Sequence, residues 1–159
     1  MNPQLKSIDA FTVIGYQLKA NLQEIEEQQL GKKTLHRLLE NQSLVQQRVG
    51  EEIYLIQLYD MKPNFNPNVD RFTQVIGYKV AEPKEVPAEM IVHTVPSHQY
   101  VMATHRGLEA ELYKTYDALY GTWMGKQPYQ PAGYDFEVWD ERYKPDEATN
   151  EIDVYVAIR

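Results

Sequence analysis

The feature that most constrains this chain is that its local patterns occur twice in the same order. Residues 11–18 read as a strand rich in β-branched and aromatic side chains, with Gly15 marking a bulge or a close approach. A Gln/Glu-rich polar stretch follows, and residues 32–48 then set Leu35, Leu38 and Leu39 at helical spacing. Residues 53–60 and 72–80 read as the strands of a hairpin, joined by a loop whose prolines and asparagines break ladders. After a Pro/Glu-rich connector at 82–88 the order returns. Residues 90–95 and 99–105 are extended, and 108–120 form a helix with Leu108, Leu112, Tyr116 and Leu119 as its apolar stripe. Two strands, 134–141 and 151–158, close the chain.

The two copies align with an offset of about 80 residues, which sets Ile76 against Val156, Asp60 against Asp140, Gln57 against Glu137 and Tyr59 against Trp139. The half-repeats run from about 1 to 82 and from 88 to 159. A duplicated strand-helix-strand-strand module predicts an α+β fold with one antiparallel sheet. Helix stripes must bury themselves on strands, so both helices are expected on one face, above Ile56 and Phe136, with a ligand groove on the other. Gln57, Tyr59, Glu137 and Trp139 would line the centre of that groove.

Within the second copy, residues 134–141 place an acid, Glu137, in an otherwise aromatic and apolar strand. Read with a period of two, Phe136 and Val138 face one way, and Asp135, Glu137 and Trp139 the other. A carboxylate buried among rings has its pKa raised by desolvation, and it forms a receptor for a cation, since the ring faces attract positive charge and the acid supplies the countercharge. The charge distribution points the same way. Residues 1–80 carry nine basic and nine acidic side chains, whereas 81–159 carry seven basic and fourteen acidic, along with eight of the twelve tyrosines and both tryptophans. Such a half repels phosphate backbones, so no direct binding of duplex DNA is expected, and it attracts cations. Tyr113, Tyr116 and Tyr120 read as core residues with wetted hydroxyls rather than as part of a site.

Other chemistries lack their residues. With no cysteine there is no thiol nucleophile, disulfide or thiolate-bound metal. The histidines, His36, His93, His98 and His105, show no helical pairing that would ligate a metal, and only three serines are present. No phosphate-binding loop or dinucleotide fingerprint appears, so no cofactor is expected. The amino terminus lacks an apolar signal core, and no apolar run reaches the roughly 18 residues a membrane span needs, so the expectation is a cytoplasmic protein with no membrane partner.

The chain also resembles the GyrI-like, or AraC-type effector-binding, domain family. The resemblance is carried by Phe11-Thr-Val-Ile-Gly-Tyr16, Tyr100-Val-Met-Ala-Thr-His-Arg-Gly107, Leu119-Tyr-Gly-Thr-Trp123, Asp135-Phe-Glu137 and Ile152-Asp-Val-Tyr-Val-Ala-Ile158. It implies a tandem pair of modules with an aromatic groove for drugs and other amphipathic, often cationic, small molecules, and an acid at the position of Glu137. Tyr16, Tyr59, Tyr100, Trp123 and Trp139 are then the candidate walls beside Gln57. Many such domains serve transcription regulators. Here too little chain precedes Phe11 for a helix-turn-helix, so a stand-alone binding protein is the expectation. The resemblance leaves two alternatives: a hydrolase of electrophilic aromatic toxins with Glu137 as general base, and a modulator whose protein partner is gyrase or a regulator.

Overall fold

The computed structural model describes Met1–Arg159. Eight strands form one antiparallel sheet: β1 (Gln4–Ile8), β2 (Phe11–Ala20), β3 (Arg48–Leu58), β4 (Phe72–Val80), β5 (Ile91–Val95), β6 (His98–Arg106), β7 (Pro131–Trp139) and β8 (Glu151–Ile158). Their order across the sheet is β1-β6-β8-β7-β3-β4-β2-β5. The repeat is visible in the hydrogen-bond register. Leu55 pairs with Ile76 in the first module and Asp135 with Val156 in the second, each partner 80 residues on. The modules meet where β3 pairs with β7, with Ile56 opposite Phe136. The short strand before each module crosses to the other one: β1 pairs with β6, and β5 with β2.

Three helices complete the chain: α1 (Leu22–Gln28), α2 (Leu30–Glu40) and α3 (Leu112–Asp117), the last continued by a π-helical turn, Ala118–Trp123. The first expected helix is shorter than its spacing predicted, because Asn41 ends α2 and β3 already begins at Arg48. β1 and α1 lay outside the expectation. β1 keeps four of its five residues exposed, so it pairs through its backbone and carries no alternating apolar signal. α1 buries no residue, leaving helical periodicity nothing to register.

What defines α1 is its cap. Glu24 N–H donates to Asn21 Oδ1 at 2.8 Å, and Asn21 N–H donates back to Glu24 Oε1 at 3.1 Å. Arg71 grips the same Glu24 with two hydrogen bonds. With no buried side chain to compensate, Asn21→Ala is expected to cost about 1 kcal/mol, read as faster hydrogen exchange across 22–28.

Helices and sheet share one apolar core, in which Leu38 of α2 and Leu119 after α3 join Ile14, Leu55, Ile76, Val101, Trp139 and Val154. The opposite face has its own cluster, with Phe11, Val13, Ile56, Val75, Tyr100 and Phe136. It is closed by curvature rather than by helices. Phe11 on β2 and Phe136 on β7 have β3 and β4 between them, yet their rings lie 5.4 Å apart. Three strand spacings in a flat sheet would separate them by about 14 Å. Ile56 and Phe136 are therefore not under the helices as expected; Gln57 and Glu137 are. Alternation had sorted the side chains onto two faces correctly, but both faces are apolar enough to accept a helix, and periodicity carries no information about which one does. No helix is long and apolar enough to cross a membrane.

Candidate functional site

The groove opens between α1–α2 on one side and α3 on the other, on the helical face of the sheet, with a cavity volume of about 1490 Å³. Its floor comes from β3, β4 and β7, the strands at the seam between modules. Gln57, Gln74 and Glu137 share that floor because Gln57 pairs with Gln74, and Glu137 pairs with Leu55 two residues away on the same strand.

Two carboxylates lie here, both out of water: Asp135 is 0% exposed and Glu137 3%. Asp135 Oδ1 accepts from Gln57 Nε2 at 2.7 Å, and its Oδ2 accepts from the hydroxyls of Tyr59 at 2.9 Å and Tyr120 at 2.7 Å. Glu137 Oε2 accepts from the Tyr116 hydroxyl at 2.5 Å, and Oε1 from the Trp139 indole at 2.9 Å. Every donor is neutral. Burial pushes Asp135 up to about 6, against the hydrogen bonds from Tyr120, Gln57 and Tyr59. Burial likewise raises Glu137, to about 7; Tyr116 and Trp139 hold it down, and the charges of Asp135 and Glu109 push it further up. A carboxylate has about four acceptor positions. Asp135 uses three and Glu137 two, so Glu137 keeps the greater capacity for an incoming group.

Aromatic rings frame the acids. Trp139 stacks on Tyr143 with centroids 4.6 Å apart, and Tyr116 lies nearly parallel to Tyr120 at 6.3 Å. Tyr59 packs on Phe65 and Phe72. The spacing of four residues puts Tyr116 and Tyr120 one above the other on the helical segment, and both hydroxyls reach the sheet.

Of the residues expected from sequence, Glu137, Gln57, Tyr59 and Trp139 line this groove. Three others are placed elsewhere. Tyr100 belongs to the helix-free face, where its ring meets Phe136 at 5.2 Å and its hydroxyl meets that of Tyr134. Tyr16 is on the helical face but sits under α2, with the Arg37 guanidinium 4.2 Å over its ring. Trp123 packs against the helical-face core outside the groove lining, stacked on Tyr129 at 5.8 Å. The resemblance and their aromatic character make these three candidate walls, and none of them is in the groove lining. Conversely Asp135, Gln74, Tyr116, Tyr120 and Tyr143 belong to the site and were not nominated. Asp135 could have been found as the residue two before Glu137 on one strand face, and the tyrosine pair from its spacing.

An eight-stranded antiparallel sheet with a groove between its helices is the frame of the site, and the sequence itself gives the class: this chain belongs to the Cass2 family, integron-associated effector binding protein, whose family model matches residues 4–158. Among individual proteins, it is 32% identical over 89 residues to the transcriptional regulator BrlR of Pseudomonas aeruginosa, a match spanning 55% of this chain and 33% of the regulator. The fold is shared with SAV2435, solved bound to tetraphenylphosphonium, at a TM-score of 0.73 and 12% identity over 100% of this chain and 94% of that one. It is shared as well with an integron cassette protein of Vibrio cholerae, at 0.67 and 15% over 99% and 95%.

Proposed function

We propose that this chain binds aromatic, amphipathic cations in the groove between its helices, with Glu137 as the charge anchor and Trp139, Tyr59 and Tyr116 among the walls. The observation that carries this reading is a buried pair of acids whose hydrogen-bond donors are all uncharged. A desolvated carboxylate with no cation of its own gains most from a ligand that brings one, and rings around it add about 0.5–2 kcal/mol each through their faces. That SAV2435, a neighbour in fold, holds a lipophilic phosphonium supports the reading.

Titration with methyltriphenylphosphonium and with neutral triphenylphosphine oxide, followed by tryptophan fluorescence, tests it. The cation should bind at least about tenfold more tightly, the equivalent of one charge-assisted contact. Equal affinities would remove the acid from the account.

One observation favours a second reading. A carboxylate near neutrality, hydrogen-bonded to a tyrosine hydroxyl inside a groove, suits a general base that activates water. Turnover of an electrophilic aromatic ester that stops in Glu137→Gln while binding persists would decide for it.

A further inference from the structure

Gln74 sits on the groove floor, 4% exposed, and its Oε1 has no hydrogen-bond partner. Its orientation is imposed from the other end of a hydrogen-bond chain. A carboxylate only accepts, so Asp135 Oδ1 fixes the Gln57 amide with its nitrogen toward the acid, at 2.7 Å; the same nitrogen reaches the Tyr116 hydroxyl at 3.1 Å. Gln57 Oε1 must then face β4, where it accepts from Gln74 Nε2 at 2.9 Å. Turning the Gln74 amide over would set oxygen against oxygen. Its carbonyl is thereby held as an unpaired acceptor in a place bulk water does not reach, and buried acceptors are ordinarily paired.

Resting on the reading above, we infer that the effector carries an N–H or O–H donor in addition to its positive charge, and that this donor pairs with Gln74 Oε1 while the charge sits at Glu137. Gln74 lies on β4 opposite Gln57 and Glu137 on β7 opposite Leu55, so their backbones are two strand spacings, about 10 Å, apart across the sheet and two residues, about 7 Å, apart along it. One ammonium group cannot serve both. The geometry calls for an elongated aromatic cation with a donor group at its end, lying across the seam strands. Gln74 is among the residues that line the groove. An onium ion without N–H or O–H fills the aromatic walls and leaves Gln74 unpaired.

A matched pair of dyes tests this: 3,6-diaminoacridinium, and the analogue in which both amino groups are dimethylated. Ring and charge are the same, and the terminal N–H donors are lost. Wild-type protein should bind the diamino dye about tenfold more tightly, and Gln74→Leu should reduce that ratio to about one by weakening the diamino dye alone. A ratio near one in the wild type overturns the inference. So does a preference that survives in Gln74→Leu, which would trace it to ligand size or another acceptor. If Gln74→Leu does not fold, Gln74→Met carries the same comparison. Binding of both dyes with equal, Glu137-dependent affinity would sink the role of Gln74 and leave the cation site standing; binding of neither would sink both.

Discussion

Glu137→Gln is expected to weaken binding of a lipophilic cation by roughly 1.5–3 kcal/mol while leaving a neutral ligand of the same shape unaffected. The substitution keeps the side chain's size and can keep both contacts, since the amide oxygen accepts from the Trp139 indole and the amide nitrogen donates to the Tyr116 hydroxyl. The charge is lost, and with it the acceptor of the Tyr116 O–H, whose oxygen already accepts from Gln57 Nε2. The pH dependence gives a second signature with two opposite slopes. The folded-state pKa of Glu137 is raised, so below its unfolded value the group is protonated in both states and its contribution to stability is fully present; that contribution is lost as pH rises through about 7. Asp135, raised to about 6, acts in the same direction. Binding of a phosphonium, which does not titrate, needs Glu137 ionised and should strengthen over the same range. Thermal melts and titrations between about pH 5 and 8 should therefore show wild-type stability falling while cation affinity rises, with both slopes reduced in Glu137→Gln. Parallel slopes, or none, would mean that Glu137 is already stably ionised and paired.

Gly15→Val should destabilise the fold by about 3 kcal/mol or more, at the upper end of what overpacking costs. Gly15 and Gly77 face each other across β2 and β4. A Cβ on Gly15 would lie 2.0 Å from the Ile76 carbonyl oxygen and 2.4 Å from Gly77 Cα, and one on Gly77 would lie 2.3 Å from the Ile14 carbonyl oxygen. These obstacles are backbone, so no rotamer relieves them, and the strands must separate. Because β4 carries Gln74 and Ile76 into the groove, ligand affinity should fall together with stability in urea titrations of this variant. A melt unchanged within about 0.5 kcal/mol would show that the strands part freely at this point.

What could be read from sequence divides along physical lines. The strands of both modules, their offset and the shared face of Gln57 and Glu137 were legible because half-buried strands write alternation into the chain, and the register bears it out at Leu55–Ile76 and Asp135–Val156. α1 and β1 were not, since one is held by a cap and an ion pair and the other by backbone pairing alone. The side of the sheet that takes the helices was misjudged: Gln57 and Glu137 are polar, and polar floor residues under a helix make sense only once the hydroxyls of Tyr116 and Tyr120 are seen reaching down to them. Gln74 had no local signal at all; its importance comes from a cross-strand partner 17 residues away.

The meeting of β3 and β7 has a consequence for how such a site can arise. Around the approximate axis through Ile56 and Phe136, Glu137 occupies the place equivalent to Gln57, and Asp135 that of Leu55. A symmetric dimer of one module would have to carry the same side chain at both places of each pair: four carboxylates crowded about the axis, whose mutual repulsion would force most of them to stay protonated, two placed symmetrically on either side of it, or none. Joining the two modules in one chain frees the halves to differ. One can then keep Gln57 as a neutral donor and Leu55 as apolar support while the other holds both acids, so the pseudosymmetric frame gives its cavity a polarity, with a charged end and an uncharged one, that identical subunits could not give it.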